Sequence, residues 1–306
     1  MAVVKRIRER GRKAAQRRER RRNLDPWPLL TSPHLALLRA PRHPRPQRPL
    51  AGTITVATYN VHRWTGLNGR GPSDPARAGF VISELGADLV GLQEVLRPLR
   101  GDDPLEALAE ALGLHVTFAA TRVHKRGQIG NAILSRWPIA GVSMLDLSFT
   151  RLEKRVAVAV QLEEGRGRLD VVATHLALGD RTRHRQVQSL LEHRRLRDAP
   201  TLIMGDMNAW RRCPATRALD DEMRSHHNEK WPASFPSASP VLSLDRIYAR
   251  GLDVLEIGAH ASRAARRASD HLPVVARVEL PKPEVRADVS AALDDDVPPG
   301  QPQIRM

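Results

Sequence analysis

Thr201-Leu202-Ile203-Met204-Gly205-Asp206-Met207-Asn208 is the stretch on which the reading of this chain turns. Its apolar half predicts a buried strand, and Gly205 marks where that strand stops. Asp206 and Asn208 stand two positions apart, so a carboxylate and a carboxamide point to the same side of the extended chain. Gly-Asp-x-Asn is also good turn chemistry, so the segment alone establishes no site. Four other strand-like segments repeat the design. Asn60 and His62 follow Thr53–Tyr59, Glu94 follows Ala87–Gln93, His175 follows Leu169–Thr174, and Asp270-His271 precede Leu272–Val278. Such repetition predicts a metal-assisted phosphate site on the rim of a β-sandwich.

The surrounding pattern is a dense alternation of strands and helices. Asp74-Pro75 predict an N-cap and first helical residue, opening a helix through about Leu85. Pro104 to Leu112 predicts a second helix, closed by Gly113. Thr182 to about Arg197 predicts a third, with Val187, Leu190 and Leu191 on one face. Strands are expected at Leu89–Leu92, Ala132–Ser135, Arg155–Leu162 and Leu169–Thr174, and around Met204, Ile247 and Val275. Several of them follow one another without intervening helices. Two packed mixed sheets with helices outside therefore fit better than a doubly wound parallel sheet. Gly66, Gly69 and Gly71 are spaced wrongly for a dinucleotide fingerprint.

The net charge of +15 suggests nucleic-acid binding until it is located. Residues 1–50 hold fifteen Lys or Arg against Glu9, Glu19 and Asp25, which is +12 of that total. The basicity belongs to an arm, and an arm attracts DNA, RNA or an anionic membrane surface alike, or merely solubilises. Residues 1–50 read as this basic, Pro-rich, poorly ordered arm and linker, with Leu35–Leu38 able to dock on the body. Residues 51–280 read as one domain and 281–306 as a tail. Cys213 is the single cysteine, which excludes disulfide frameworks and thiolate metal clusters. With no signal-peptide pattern and no span of about 20 apolar residues, a soluble, cytoplasmic monomer is expected.

Taken in order, Tyr59-Asn60-Val61-His62, Leu92-Gln93-Glu94-Val95, Gly130-Asn131-Ala132-Ile133-Leu134-Ser135-Arg136, Thr174-His175-Leu176, Gly205-Asp206-Met207-Asn208, Leu244-Asp245-Arg246-Ile247 and Ser269-Asp270-His271-Leu272-Pro273 resemble the endonuclease/exonuclease/phosphatase superfamily. Each motif is weak alone; seven in the family's order, spread over about residues 53–280, are specific. The resemblance implies a four-layer α/β sandwich of two packed mixed sheets flanked by helices. It also implies a cleft at one edge of the sheets and dependence on Mg²⁺ or Mn²⁺.

The residue types suit that chemistry. Phosphodiester cleavage must neutralise phosphate charge, activate water and stabilise a leaving oxyanion. Mg²⁺ takes carboxylate, amide and water oxygens, which makes Glu94 the first choice of metal ligand, with Asn60 assisting. Asp206 is the candidate to orient and deprotonate water, with Asn208 holding the phosphate or the same water. A histidine such as His271 serves best protonated, and a carboxylate partner favours that form. By resemblance that partner is Asp245, Asp270 faces the metal, and His175 contacts phosphate or protonates the leaving group. Arg155, Asn131 and His62 sit, by the same resemblance, where substrate-binding residues are expected. His124, His184, His193, His226 and His227 read as surface residues, and Arg183 and Arg185 as either an extended basic track or a solvated helix face. The expectation is a divalent-metal-dependent phosphodiesterase with nucleic acid favoured over phospholipid or inositol phosphate. The rival is a catalytically silent binding module.

Overall fold

The computed structural model describes residues 33–69, 72–124, 126–150, 153–193, 199–223 and 230–281. The basic segment 5–22, the tail beyond 281 and His226-His227 lie outside them. Two β-sheets pack face to face. The larger has seven strands in the order β1-β4-β5-β3-β2-β12-β11, and the smaller has five in the order β10-β9-β8-β7-β6. The larger contains β1 (His34–Arg39), β2 (Gly52–Asn60), β3 (Leu89–Arg97), β4 (His115–His124), β5 (Gly127–Ser135), β11 (Asp253–Ala259) and β12 (Val274–Leu280). The smaller contains β6 (Ile139–Asp146), β7 (Val156–Glu164), β8 (Gly167–His175), β9 (Thr201–Asp206) and β10 (Asp245–Arg250).

Three apolar layers hold the sandwich together. Val56, Leu89, Ile133, Val158, Val171 and Met204 fill the space between the sheets. Helices α1 (Pro75–Glu84) and α2 (Pro104–Leu112) cover the larger sheet over Val81, Leu105 and Phe118. Helices α3 (Asp180–Leu191) and α4 (Pro214–Met223) cover the smaller over Val187, Ile203 and Leu219. A short α5 (Ala265–Ala268) precedes β12. Helix, sheet, sheet, helix is the four-layer α/β sandwich expected. The sheets approach closely at Gly91, where a Cβ would stand 2.8 Å from the Met204 sulfur.

Each sheet contains one parallel pair, β2–β3 in the larger and β8–β9 in the smaller. Parallel neighbours need a crossover, supplied here by α1 and α3. The C-terminal ends of parallel strands lie at the same edge, so Asn60 aligns with Gln93 and His175 with Asp206. The antiparallel neighbours begin where those strands end: Asp245 pairs with Asp206, and Val274 with Thr58. One end of the molecule thus collects the tips of strands far apart in sequence.

Local signals fare well where the backbone chemistry is specific. Asp74 caps α1 through the Arg77 N–H, Asp103 caps α2 through the Leu105 N–H, and Gly113 ends α2 at φ 63°. The third helix runs Asp180–Leu191, short of the expected Arg197; residues 194–198 are outside the described set. Two expectations need correction. The arm does not run as linker through residue 50, because His34–Arg39 form an edge strand on β4. Three of its described arginines are bound to the body: Arg39 pairs with Glu106 and Arg48 with Asp88, while Arg45 bonds the Leu112 and Ala87 carbonyls. Nor does β3 stop before Glu94. It continues to Arg97 through a register shift between Leu92 and Val95, with Glu94 at φ 52°.

Candidate active site

Asp206 is the centre of the strand-tip cluster. Gly205 delivers it at φ 152°, where a Cβ would fall 1.9 Å from the Thr174 carbonyl oxygen, so β9 can lie beside β8 here only with glycine. Asp206 Oδ2 accepts from Asn60 Nδ2 across the two sheets at 3.1 Å, and Oδ1 accepts from the Asn208 N–H at 2.9 Å. His175 Nε2 stands 3.4 Å and His271 Nε2 3.7 Å from Oδ2. Behind His271, Nδ1 meets Asp245 Oδ2 at 2.8 Å, and that same oxygen accepts from Ser234 Oγ at 2.6 Å. Phe235 lies against the His271 ring with centroids 4.9 Å apart.

Burial and charge tune these groups in opposite directions. Burial raises the Asp206 pKa and Asp245 adds to it; His271 and the bonds from Asn208 and Asn60 oppose the rise, leaving it at about 6. For His271, burial disfavours the charged ring, but Asp245 and Asp206 outweigh it and raise its pKa to about 10. His175 goes the other way: burial, then Arg155, His271 and Arg122, hold it well below the usual imidazole range. At neutral pH His175 is uncharged, so its approach to Asp206 is a polar contact and not an ion pair. His271 is charged, and Asp206 is mostly ionised though held above the usual carboxylate range.

The other carboxylates are more open. Glu94 is turned out of β3 by its left-handed backbone, keeps 26 % of its side chain exposed, and stands 3.5 Å from Arg63 Nε. His62, Arg63 and Trp64 all have positive φ, and such strain in non-glycine residues gathers at functional sites. His62 Nδ1 faces both Asp270 Oδ1 at 3.0 Å and the Gly66 carbonyl at 2.9 Å. Burial would raise the Asp270 pKa, but the His62 hydrogen bond and the charges of His271 and His62 bring it below the usual carboxylate range. A cleft of about 230 Å³ joins Glu94, Asn131, Arg155 and His175 with Arg63, Arg122 and Lys154. Arg155 is held by Glu153 at 2.8 Å, and Asn131 donates to the Val156 carbonyl at 2.8 Å, tying β5 to β7 beneath the cleft.

The structure therefore brings Asn60, His175, Asp206, Asn208, Asp245 and His271 into one contact network, with Asp270 and His62 paired beside it. Glu94, Arg155 and Asn131 line the adjoining cleft. Asn208 points inward, donating to the Leu176 carbonyl at 2.9 Å. Sequence reasoning missed Arg63, Arg122 and Lys154 in the cleft and Ser234 behind Asp245; a lone basic residue or serine in a loop carries no motif signal. Arg183 is neither track nor solvated face: it is 1 % exposed and donates to three backbone carbonyls. A larger cavity of about 740 Å³ lies at the opposite end, bounded by Arg250–Asp253 and Glu279–Pro281, and holds none of these groups.

Asp206, Asp245 and His271 place one ligating atom each within 4.8 Å of one another. Their donor chemistry suits a shared proton better than a hydrated Mg²⁺. His271 Nδ1 is committed to Asp245, all three side chains are buried, and Mg²⁺ usually keeps several waters. Glu94, an oxygen donor facing an open cleft, fits such a cation.

A model of the endonuclease/exonuclease/phosphatase family matches residues 33–271. The chain belongs to this family. Its members are hydrolases of phosphoester bonds and are generally dependent on divalent metals. The matched range begins at β1, in keeping with the edge strand. The chain is 30% identical to Uncharacterized protein YbhP of Escherichia coli (strain K12) over 256 residues, covering 74% of this chain and 97% of that protein. Among solved structures, mannosyl-6-phosphatase Bt3783 of Bacteroides thetaiotaomicron VPI-5482 superposes with a TM-score of 0.58 at 20% identity, covering 74% and 99% of the two chains. D. rerio TDP2 complexed with single strand DNA product gives 0.56 at 16% identity, again covering 74% and 99%. At these identities the two structures speak for the fold. No helix among the described residues is long and apolar enough to cross a membrane.

Proposed function

We propose that the protein is a Mg²⁺- or Mn²⁺-dependent hydrolase of phosphodiester bonds, with nucleic acid as the favoured substrate. The observation that carries the reading is Asp206: a buried carboxylate whose pKa burial raises above the usual carboxylate range, touching groups from both sheets and adjoining a cationic cleft. Glu94 would hold the ion, with Asn60 and Asp270 assisting, and the ion would neutralise phosphate charge during attack. Asp206 takes the proton of the attacking water. His271, kept protonated by Asp245, donates to a non-bridging phosphate oxygen. His175 orients water and phosphate, Asn208 braces the turn after β9 through the Leu176 carbonyl, and Arg155 offers charge from the cleft wall. His62 keeps Asp270 in place.

Charge favours a polyanionic substrate. Arg63, Arg122, Lys154 and Arg155 outnumber Glu94 and Glu153 around the cleft. β1 begins at this end, where His34 pairs with Ala120, next to cleft residues Thr121 and Arg122, and eleven Lys or Arg precede it in sequence over residues 1–32. The phosphatase and the DNA-bound protein among the structural neighbours act on different phosphoesters, so substrate class needs a direct test. Bis-p-nitrophenyl phosphate, plasmid and single-stranded DNA, and anionic phospholipid vesicles would be assayed with Mg²⁺ and with EDTA. Metal-dependent cleavage that favours DNA is expected. Full activity in EDTA or in Asp206→Ala contradicts the reading.

A further inference from the structure

The loops after β8 and β9 are bound to each other with unusual economy. Arg183 Nη1 donates to the carbonyls of Ala177 at 2.9 Å, Leu178 at 3.0 Å and Asn208 at 2.7 Å, while Nη2 bonds Asp180. The second oxygen of Asp180 meets Arg211 Nη2 at 3.1 Å. Ala177, Ala209 and Cys213 are buried around these anchors, yet Leu178 remains 61 % and Trp210 52 % exposed. Trp64 and Trp137 are buried and Trp231 packs against Tyr248 and under Arg246, so Trp210 is the exposed tryptophan among the described residues. Its Cα lies within about 7 Å of that of Asn208, two residues along the chain.

An isolated exposed apolar side chain needs no explanation. Here two of them project from neighbouring loops whose backbones share one buried guanidinium, directly after the strands that deliver His175 and Asp206. A face fixed in that way loses little conformational entropy on meeting a flat partner. We infer that Trp210, with Leu178 on the neighbouring loop and Arg211-Arg212 following it in sequence, is the platform on which a nucleobase next to the scissile phosphate stacks. The substrate class is then single-stranded nucleic acid. The inference rests on the phosphodiesterase reading above and extends it. A base is about the size of an indole, and every base offers a flat π-face that stacks on an aromatic side chain whatever its sequence. A bilayer suits the surface less well, because the two apolar side chains are bounded by Asp180, Arg181, Arg211 and Arg212.

The test is binding of a fluorescein-labelled single-stranded oligodeoxynucleotide to the full-length protein carrying Asp206→Asn in Mg²⁺, followed by anisotropy. Adding Trp210→Ala should raise Kd about tenfold, the effect of about 1.4 kcal/mol. Trp210→Phe, which keeps an aromatic face, should restore most of the affinity. An abasic oligonucleotide of equal length should lose at most about twofold to Trp210→Ala. An unchanged Kd, or an equal loss on the abasic strand, overturns the inference. So does a Trp210→Ala defect confined to phosphatidylglycerol vesicles. A wild-type protein that cleaves bis-p-nitrophenyl phosphate while Trp210→Ala leaves DNA binding intact fails this inference alone; absence of any metal-dependent cleavage fails the functional reading beneath it.

Discussion

Asp206 and Glu94 are both carboxylates at the same end of the sandwich, and their surroundings differ in every respect that matters. Asp206 is walled in by Asn60, Asn208 and two histidines and is 2 % exposed. Glu94 stands on a bulge with a quarter of its side chain open and one arginine nearby. Burial lifts the first to about 6, where it can exchange a proton near neutrality. The open setting of the second suits a cation and its waters. The difference teaches that one functional group can be set for two roles by its environment: in the proposed reading the smaller sheet supplies the proton acceptor and the larger the cation's ligand.

Mutation separates the two roles. Asp206→Asn should lower kcat on bis-p-nitrophenyl phosphate about 10³-fold, within the range for loss of a general base. Raising Mg²⁺ should recover none of it. Glu94→Gln should cost about 10²-fold at low metal, a loss of the size seen when metal binding is disturbed. A Mg²⁺ titration should recover much of it. Recovery in the first variant, or none in the second, would exchange the assigned roles.

The pH profile probes the same contrast. Asp206 must be ionised to accept a proton, so activity should climb as pH rises through about 6. His271 must be protonated to donate, so activity should fall as pH approaches 10. Asp245→Asn removes the carboxylate that holds the proton on His271 and should move the falling limb to lower pH. An unmoved limb would detach His271 from that limb. The smallest effect is expected from removing residues 1–32: KM for DNA should rise about threefold at low salt, and the difference should fade as salt screens the charge.

The site was legible in sequence because its chemistry is concentrated in short motifs at strand tips, and parallel pairing forces those tips to one edge. Asn60, His175 and Asp206 could be named for that reason, and the Asp245–His271 pair by resemblance to the family. For β1 the docking of Leu35–Leu38 was legible but its strand form was not: Pro33 and Pro41 bracket it, and its half-exposed pattern resembles a linker more than a core strand. Strands β4, β6 and β11 were likewise unnamed, since β6 and β11 are mostly only half-buried and carry weak apolar runs. Arg183 was misread because arginine is rarely buried, and its partners are carbonyls that no sequence pattern displays. Glu94 was placed at a strand end because a left-handed residue inside a continuing strand leaves no trace in composition.

The most direct test of this division of labour is a crystal soaked in Mn²⁺ and examined by anomalous scattering. The account predicts a peak in the cleft beside the Glu94 carboxylate, with Asp206, Asp245 and His271 hydrogen-bonded to one another and free of metal. A peak centred among those three buried side chains, with none beside Glu94, would contradict it.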